Sequence, residues 1–213
     1  MTTTIKHAST KTDSTYCRYI MEKLESKLEY KTFESGHRFT RSTKNQTKCY
    51  MIRSGVISIH RQPDDVLIEY IEAPTMRGII PIHADYISAY TIRVIVKAEI
   101  AIIDLDYFYA LLNEHHLWEA FARHLQLIAS IMPEVIFKLT APTVFEAVRM
   151  QLYELMEKPQ SIRDSVLVEP YIREKIRASR SAIMRILSDL KNGGYIVIEN
   201  GYLKDIKNIP LKY

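Results

Sequence analysis

A chain of 213 residues, 47% apolar and 25% charged, is long enough to bury the core of one large domain or two small ones. Its net charge of +4 is a mild basic bias that alone names no partner. Two cysteines without a CxxC spacing fit a reducing compartment and exclude a disulfide scaffold, and no segment approaches the ~20 apolar residues of a bilayer span. The leading residues are polar, with no apolar run of the kind a signal peptide carries. The expectation is a cytoplasmic protein with no membrane partner.

Residues 1–15 read as a disordered tail rich in Thr and Ser. Residues 16–114 read as one unit. It opens with a short amphipathic helix whose apolar positions are 16, 20, 21 and 24. From Tyr30 the pattern turns to period 2, with β-branched residues. Candidate strands are 31–33, 37–40, 49–53, 56–60, 66–72, 90–96 and 99–104, separated by Gly36, Ser54-Gly55, Pro63-Asp64-Asp65 and Ala73-Pro74. Many short strands at near-regular spacing predict a small antiparallel barrel, roll or sandwich.

A short helix capped by Asp106 comes next, then a long one over 115–139. In the long helix Leu117, Phe121, Leu125, Ile128 and Met132 recur every three or four residues, the spacing of a coiled-coil seam. They are the candidate dimer interface, though a core-facing helix gives the same spacing. Pro133 is expected to kink the helix or break one turn. The remainder, 140–213, begins with Thr143-Val144-Phe145-Glu146, which has the form of a capping box and opens a helix to about Lys158, where Pro159 ends it.

Residues 171–203 carry the clearest signal. Tyr171–Ile176 and Ser179–Leu190 read as two short helices around a tight turn, and 195–198 and 202–203 as a hairpin joined at Asn200-Gly201. That order is a winged helix-turn-helix. Ser179 is a natural N-cap. Ile183, Ile186, Leu187 and Leu190 form the buried stripe of the second helix, so Arg180, Ser181, Met184 and Arg185 fall on the opposite side near its start, where a recognition helix meets base edges. An arginine there can give guanine two hydrogen bonds. With Ser179 and Lys204 of the wing, these four are the candidate DNA-contacting residues. Between Tyr171 and Lys191 six basic residues face two acidic ones, so this window alone carries a net +4.

Enzyme signatures are lacking: there is no G-x-S-x-G, H-E-x-x-H, P-loop or G-x-G-x-x-G. No catalytic, cofactor or metal residue is proposed from the sequence. His37, His60 and His83 are spread too widely for a ligand motif. Cys49 is expected to be buried in a strand, while Cys17, on the leading helix, is the one plausible redox handle. A protein–protein adaptor that docks a transcription partner through the winged helix is the alternative reading. An enzyme built on the β-rich half ranks last.

A β-rich N-terminal half, a long linking helix and a C-terminal winged helix resemble the catabolite activator protein/FNR superfamily. The resemblance is sharpest at Ser179-Arg180 and Arg185-Ile186-Leu187. It implies an α+β fold: an N-terminal antiparallel β-roll like the cyclic-nucleotide-binding jelly roll, a long connecting helix, and a winged helix-turn-helix. It implies base reading by Arg180, Ser181 and Arg185; a homodimer on double-stranded DNA is expected, with RNA polymerase as a further partner. Ser181 replaces the family's usual glutamate, which puts the family's usual operator in doubt, and Arg177 stands at a frequent turn glycine.

Cyclic-nucleotide binders of the superfamily carry a glutamate for the ribose and an arginine for the phosphate. Ile79 and Ile87 stand there instead, so cyclic AMP is not expected to bind. The cysteine cluster that holds an iron–sulfur centre in FNR-type members is missing too.

Within the superfamily the chain is most similar to a small enterobacterial group, IprA (YaiV). The similarity lies in Ala73-Pro74 with Gly78, Leu117-Trp118, Tyr171-Ile172, Ser179-Arg180-Ser181, Tyr195-Ile196, Gly201 with Leu203, and Pro210 with Tyr213. That group implies a transcriptional regulator that lowers resistance to hydrogen peroxide. The resemblance supplies no effector.

Overall fold

The computed structural model describes residues 15–41, 48–80, 90–139, 141, 143–176 and 178–210. The expected tail lies outside them apart from Thr15, which opens helix α1 (Thr15–Lys23). The buried face of α1 is Cys17, Ile20 and Met21, and Leu24, just past its end, continues the i, i+3, i+4, i+7 spacing. Tyr16, read as apolar, is instead at the surface, under the Arg123 guanidinium.

Six strands follow: β1 (Tyr30–Phe33), β2 (Arg38–Arg41), β3 (Lys48–Arg61), β4 (Leu67–Glu72), β5 (Thr75–Arg77) and β6 (Tyr90–Asp104). They form one antiparallel sheet. Long β3 and β6 pair with each other as its spine; β1 and β2 add to β6, and β4 and β5 to β3. The sequence divides each spine strand in two, but both run on. At Ser54-Gly55 the register shifts and the chain bulges without turning. Gly55 has φ +96, and a Cβ there would lie 2.5 Å from the Lys97 carbonyl oxygen, so glycine serves close strand approach.

Asp104 leads into α2 (Leu105–Glu114), before the expected cap Asp106. His116, at φ +55, reverses the chain, and α3 (Trp118–Leu139) begins after it. The helix continues through Pro133. Phe108, Leu111, Leu117 and Phe121 join the α1 residues, Cys49, Met51 and Met76 in one core between the helices and the sheet. Tyr50, Ile52, Ile57, Ile71, Ile92, Val94 and Ile100 make a second core within the roll.

The C-terminal part contains α4 (Val144–Glu157), α5 (Gln160–Arg163), α6 (Val168–Lys175), α7 (Arg180–Asn192), β7 (Ile196–Glu199) and β8 (Tyr202–Ile206). Thr143 caps α4 as expected: its hydroxyl accepts from the Glu146 amide at 3.1 Å. Helix α6 starts at Val168, earlier than predicted, because Pro170 lies in the first turn, where its missing N–H costs nothing. Val148, Leu152, Leu155, Tyr171, Ile172, Ile183, Leu187 and Leu190 build the third core. Val56, Leu67 and Tyr70 of the sheet are part of it, so the C-terminal helices are packed directly onto β4.

Candidate nucleic-acid interface

Helices α6 and α7 form the helix-turn-helix. The Ser179 hydroxyl accepts from the Ala182 amide at 3.2 Å and starts α7 at Arg180. Ile183, Ile186, Leu187 and Leu190 are buried, and this apolar stripe fixes the rotation of the helix. The opposite side is therefore set as well. Arg180 (side chain 77% exposed), Ser181, Met184 and Arg185 lie open to solvent on the first two turns. The Ser179 and Ser181 hydroxyls are 3.1 Å apart, which ties Ser181 to the cap. At the wing, Asn200 (φ +51) and Gly201 (φ +85) make the tight turn that the Asn-Gly pair predicts. The Gly201 carbonyl accepts from the Val168 amide at 2.9 Å and fastens the wing to the start of α6.

Not every base counted in the sequence contributes to this face. Lys175 is buried and ion-paired with Glu154, whose carboxylate also accepts from the Tyr171 hydroxyl at 3.1 Å. Burial lowers the Lys175 ammonium from its ordinary range, against the pull of Glu154. Arg173 donates to Glu169 at 2.8 Å, and Lys204 sits 3.5 Å from Asp164. Arg177 lies outside the described residues. Arg180, Arg185 and Lys191 are the exposed cations of α7 itself. A base count along the chain thus overstates the local positive field, because Glu154 and Glu169 enter from outside the counted window.

The long helix divides the expected dimer seam. Leu117 and Phe121 are 2% and 4% exposed, buried against α1 and α2 of their own chain, and cannot face a partner. Leu125 and Ile128 are half-buried on the same cluster, and the Met132 side chain lies outside the described residues. Ile136, further along, is 60% exposed.

In the β-roll, Ile79 is packed into the core, with its carbonyl accepting from the Tyr109 hydroxyl at 3.0 Å. Ile87 and His83 lie outside the described residues. Gly78 has φ +78, and a Cβ would stand 2.3 Å from the Lys48 carbonyl oxygen. Cys17 corrects the redox expectation: it is fully buried, with its thiol 3.8 Å from the Met21 sulfur. Cys49 is buried as expected and donates to the Gly78 carbonyl. Burial of Cys17 follows from its place on the i, i+3, i+4 face of α1. His60 bonds Ser58 at 2.9 Å, and His37 packs between Phe33 and Phe39. Among the described residues no group of three or more His, Cys, Asp or Glu is placed to hold a metal ion. No helix among them is long and apolar enough to cross a membrane.

Local sequence pattern carries no sign of the joint between the sheet and the C-terminal helices. Lys158, at the end of α4, donates to Glu69 and to the Tyr70 carbonyl, each at 3.3 Å. Tyr70 stacks on Tyr171 with ring centroids 5.6 Å apart, and Ser161 donates to Glu72. The hydrogen-bonded partners lie 88 or 89 residues apart in the chain, beyond any local pattern.

Residues 144–211 match the family described as winged helix-turn-helix DNA binding. An inhibitor of hydrogen peroxide resistance from Salmonella typhimurium is 25% identical over 174 residues, 80% of this chain and 82% of that protein. Its Escherichia coli counterpart is 27% identical over 176 residues, 81% and 83% of the two chains. Among solved structures, the c-di-GMP-responsive global regulator CLP of Xanthomonas campestris superposes with a TM-score of 0.67 at 15% identity. The match covers 90% of this chain and 100% of that one. A CRP-family transcriptional regulator of Thermus thermophilus gives 0.62 at 16% identity, covering 83% and 92%. The fold is that of the CRP/FNR regulators, with an N-terminal antiparallel sheet and a C-terminal winged helix-turn-helix. The chain is related at low identity to inhibitors of hydrogen peroxide resistance.

Proposed function

We propose that this chain is a cytoplasmic, sequence-specific DNA-binding transcriptional regulator that acts as a homodimer and lowers resistance to hydrogen peroxide without cyclic AMP. One observation carries the DNA reading. Arg180, Ser181, Met184 and Arg185 stand exposed together on the first turns of a helix whose other side is locked into a core. Arg180 and Arg185 read guanine edges; Ser181 and Met184 meet the bases between them. Two copies joined along α3 present two such helices to half-sites about one DNA turn apart, ~34 Å. RNA polymerase is the further partner at promoters.

Independence from cyclic AMP rests on Ile79, a packed apolar side chain where the resemblance places a ribose-holding glutamate. The peroxide role rests on likeness to the relatives so described. Selection from a random duplex library with the full chain tests the DNA reading. A preferred sequence is expected, with affinity falling steeply as salt rises through counterion release. Weak, sequence-blind binding would favour the adaptor reading. Cells lacking this chain are expected to survive peroxide better, with sensitivity restored by the wild type and not by Arg180→Ala.

A further inference from the structure

We propose that Glu169 is a positioning residue for base reading: it fixes Arg180 so that the two terminal nitrogens of its guanidinium face a guanine. The inference rests on the DNA reading above and goes one residue deeper. Glu169 lies in the first turn of α6, on the helix that does not enter the groove, and its side chain is 14% exposed. One carboxylate oxygen accepts from Arg173 Nε at 2.8 Å, four residues along the same helix. The other lies 3.9 Å from Arg180 Nε on the neighbouring helix. A single, largely buried carboxylate is thus hydrogen-bonded to Arg173, which holds it in place, and lies within ion-pair range, beyond hydrogen-bond range, of Arg180 on the neighbouring helix.

The atom engaged is what gives the arrangement its meaning. An arginine reads guanine through a fork of two parallel N–H bonds to O6 and N7. Glu169 approaches Arg180 at Nε, which leaves both terminal nitrogens for the base. Arg180 is otherwise 77% exposed, and a long free side chain loses rotamer freedom when it is ordered on DNA. A carboxylate that already restricts the guanidinium reduces that loss and prepares one orientation. In its absence the guanidinium is free to turn to the nearest phosphate, which carries no sequence information.

The alternative makes the opposite prediction. A negative charge beside a DNA-binding face repels phosphates, so removing an acid with no positioning role strengthens preferred and random duplexes alike. The test uses the full chain and its library-selected duplex. Glu169→Gln keeps size and removes the charge. Affinity for random duplex is expected to hold or rise while affinity for the preferred duplex falls. The ratio between them is expected to drop about tenfold, within the range one bidentate arginine contributes. The loss is expected at the one base pair whose identity ceases to matter in Arg180→Ala. The double variant should then be no worse than Arg180→Ala alone.

If Glu169→Gln fails to fold, Arg173→Gln loosens the same carboxylate and is expected to lower the same ratio at the same base pair. Equal shifts on both duplexes, or effects additive with Arg180→Ala, overturn the positioning role and leave DNA reading intact. A wild-type chain that prefers no duplex overturns both.

Discussion

Glu69→Ala is expected to destabilise the chain by about 2–4 kcal/mol, although Glu69 lies on the sheet and not on α7, because it leaves a buried charge uncompensated. Lys158 has a side chain 5% exposed, and its ammonium is held by Glu69 and the Tyr70 carbonyl at 3.3 Å, with Glu154 at 3.9 Å. At an effective dielectric of ~20, the 3.3 Å contact with Glu69 is worth about 5 kcal/mol gross. Partial exposure of Glu69, at 16%, and the desolvation of both ions reduce that figure. The larger effect comes from what is left behind. Without Glu69, Lys158 and Lys175 share the one carboxylate of Glu154, and a buried ammonium loses its compensation.

Glu69→Leu with Lys158→Met removes both charges and is expected to lie within about 1 kcal/mol of the wild type, because an apolar pair can replace a buried ion pair. Urea unfolding followed by circular dichroism at fixed protein concentration gives the values for Glu69→Leu, Lys158→Met and the double. Hydrogen exchange at β4 reports whether the joint opens before the rest. If the double variant is as unstable as the sum of the singles, the buried-pair reasoning is wrong.

Arg180→Ala is expected to weaken the preferred duplex by ~1–3 kcal/mol while sparing random duplex, measured by fluorescence anisotropy at two salt concentrations; equal losses would make it a phosphate contact. Ile128→Glu with Ile136→Glu is expected to give folded monomers in sedimentation velocity, since neither side chain is fully enclosed by its own chain; a dimer that persists removes α3 as the seam. Calorimetry with cyclic AMP is expected to give no heat at micromolar ligand, and a micromolar site would refute the inference from Ile79. His124 supplies the pH prediction. Burial, with Arg77 adding to it, lowers its imidazole from 6.5 to about 4, and among the described residues neither ring nitrogen has a hydrogen-bond partner. The unfolded chain therefore takes up the proton first as pH falls. Stability is whole above pH 6.5 and is lost between 6.5 and about 4, by at most about 3 kcal/mol. His124→Leu is expected to flatten that part of the pH profile without loss at neutral pH, and an unchanged slope would assign it to other groups.

The C-terminal half is legible from local pattern because its signals are local: a cap at Ser179, a stripe of Ile183, Ile186, Leu187 and Leu190, and Asn-Gly at the wing tip. The roll is legible as a class but not in its strand lengths, because Ser54-Gly55 looks the same in a bulge as in a turn. Spacing along α3 finds an apolar face correctly but carries no information on whose apolar face it meets. Leu117 and Phe121 are accordingly taken by α1 and α2. Cys17 looks open when Tyr16 is assigned to the buried face, a rotation of one residue. Lys175 counts as a free cation until the fold places Glu154 beside it.

The stack of Tyr70 on Tyr171 makes α6 a passenger of the sheet. Helix α7 packs on α6 in turn, so a tilt at β4 is passed through α6 to Arg180. In the proposed dimer, the setting of the two heads therefore depends on the strand that carries Tyr70 as well as on the helices that join the copies. The β-roll is thereby part of the frame that sets the heads, whatever it binds.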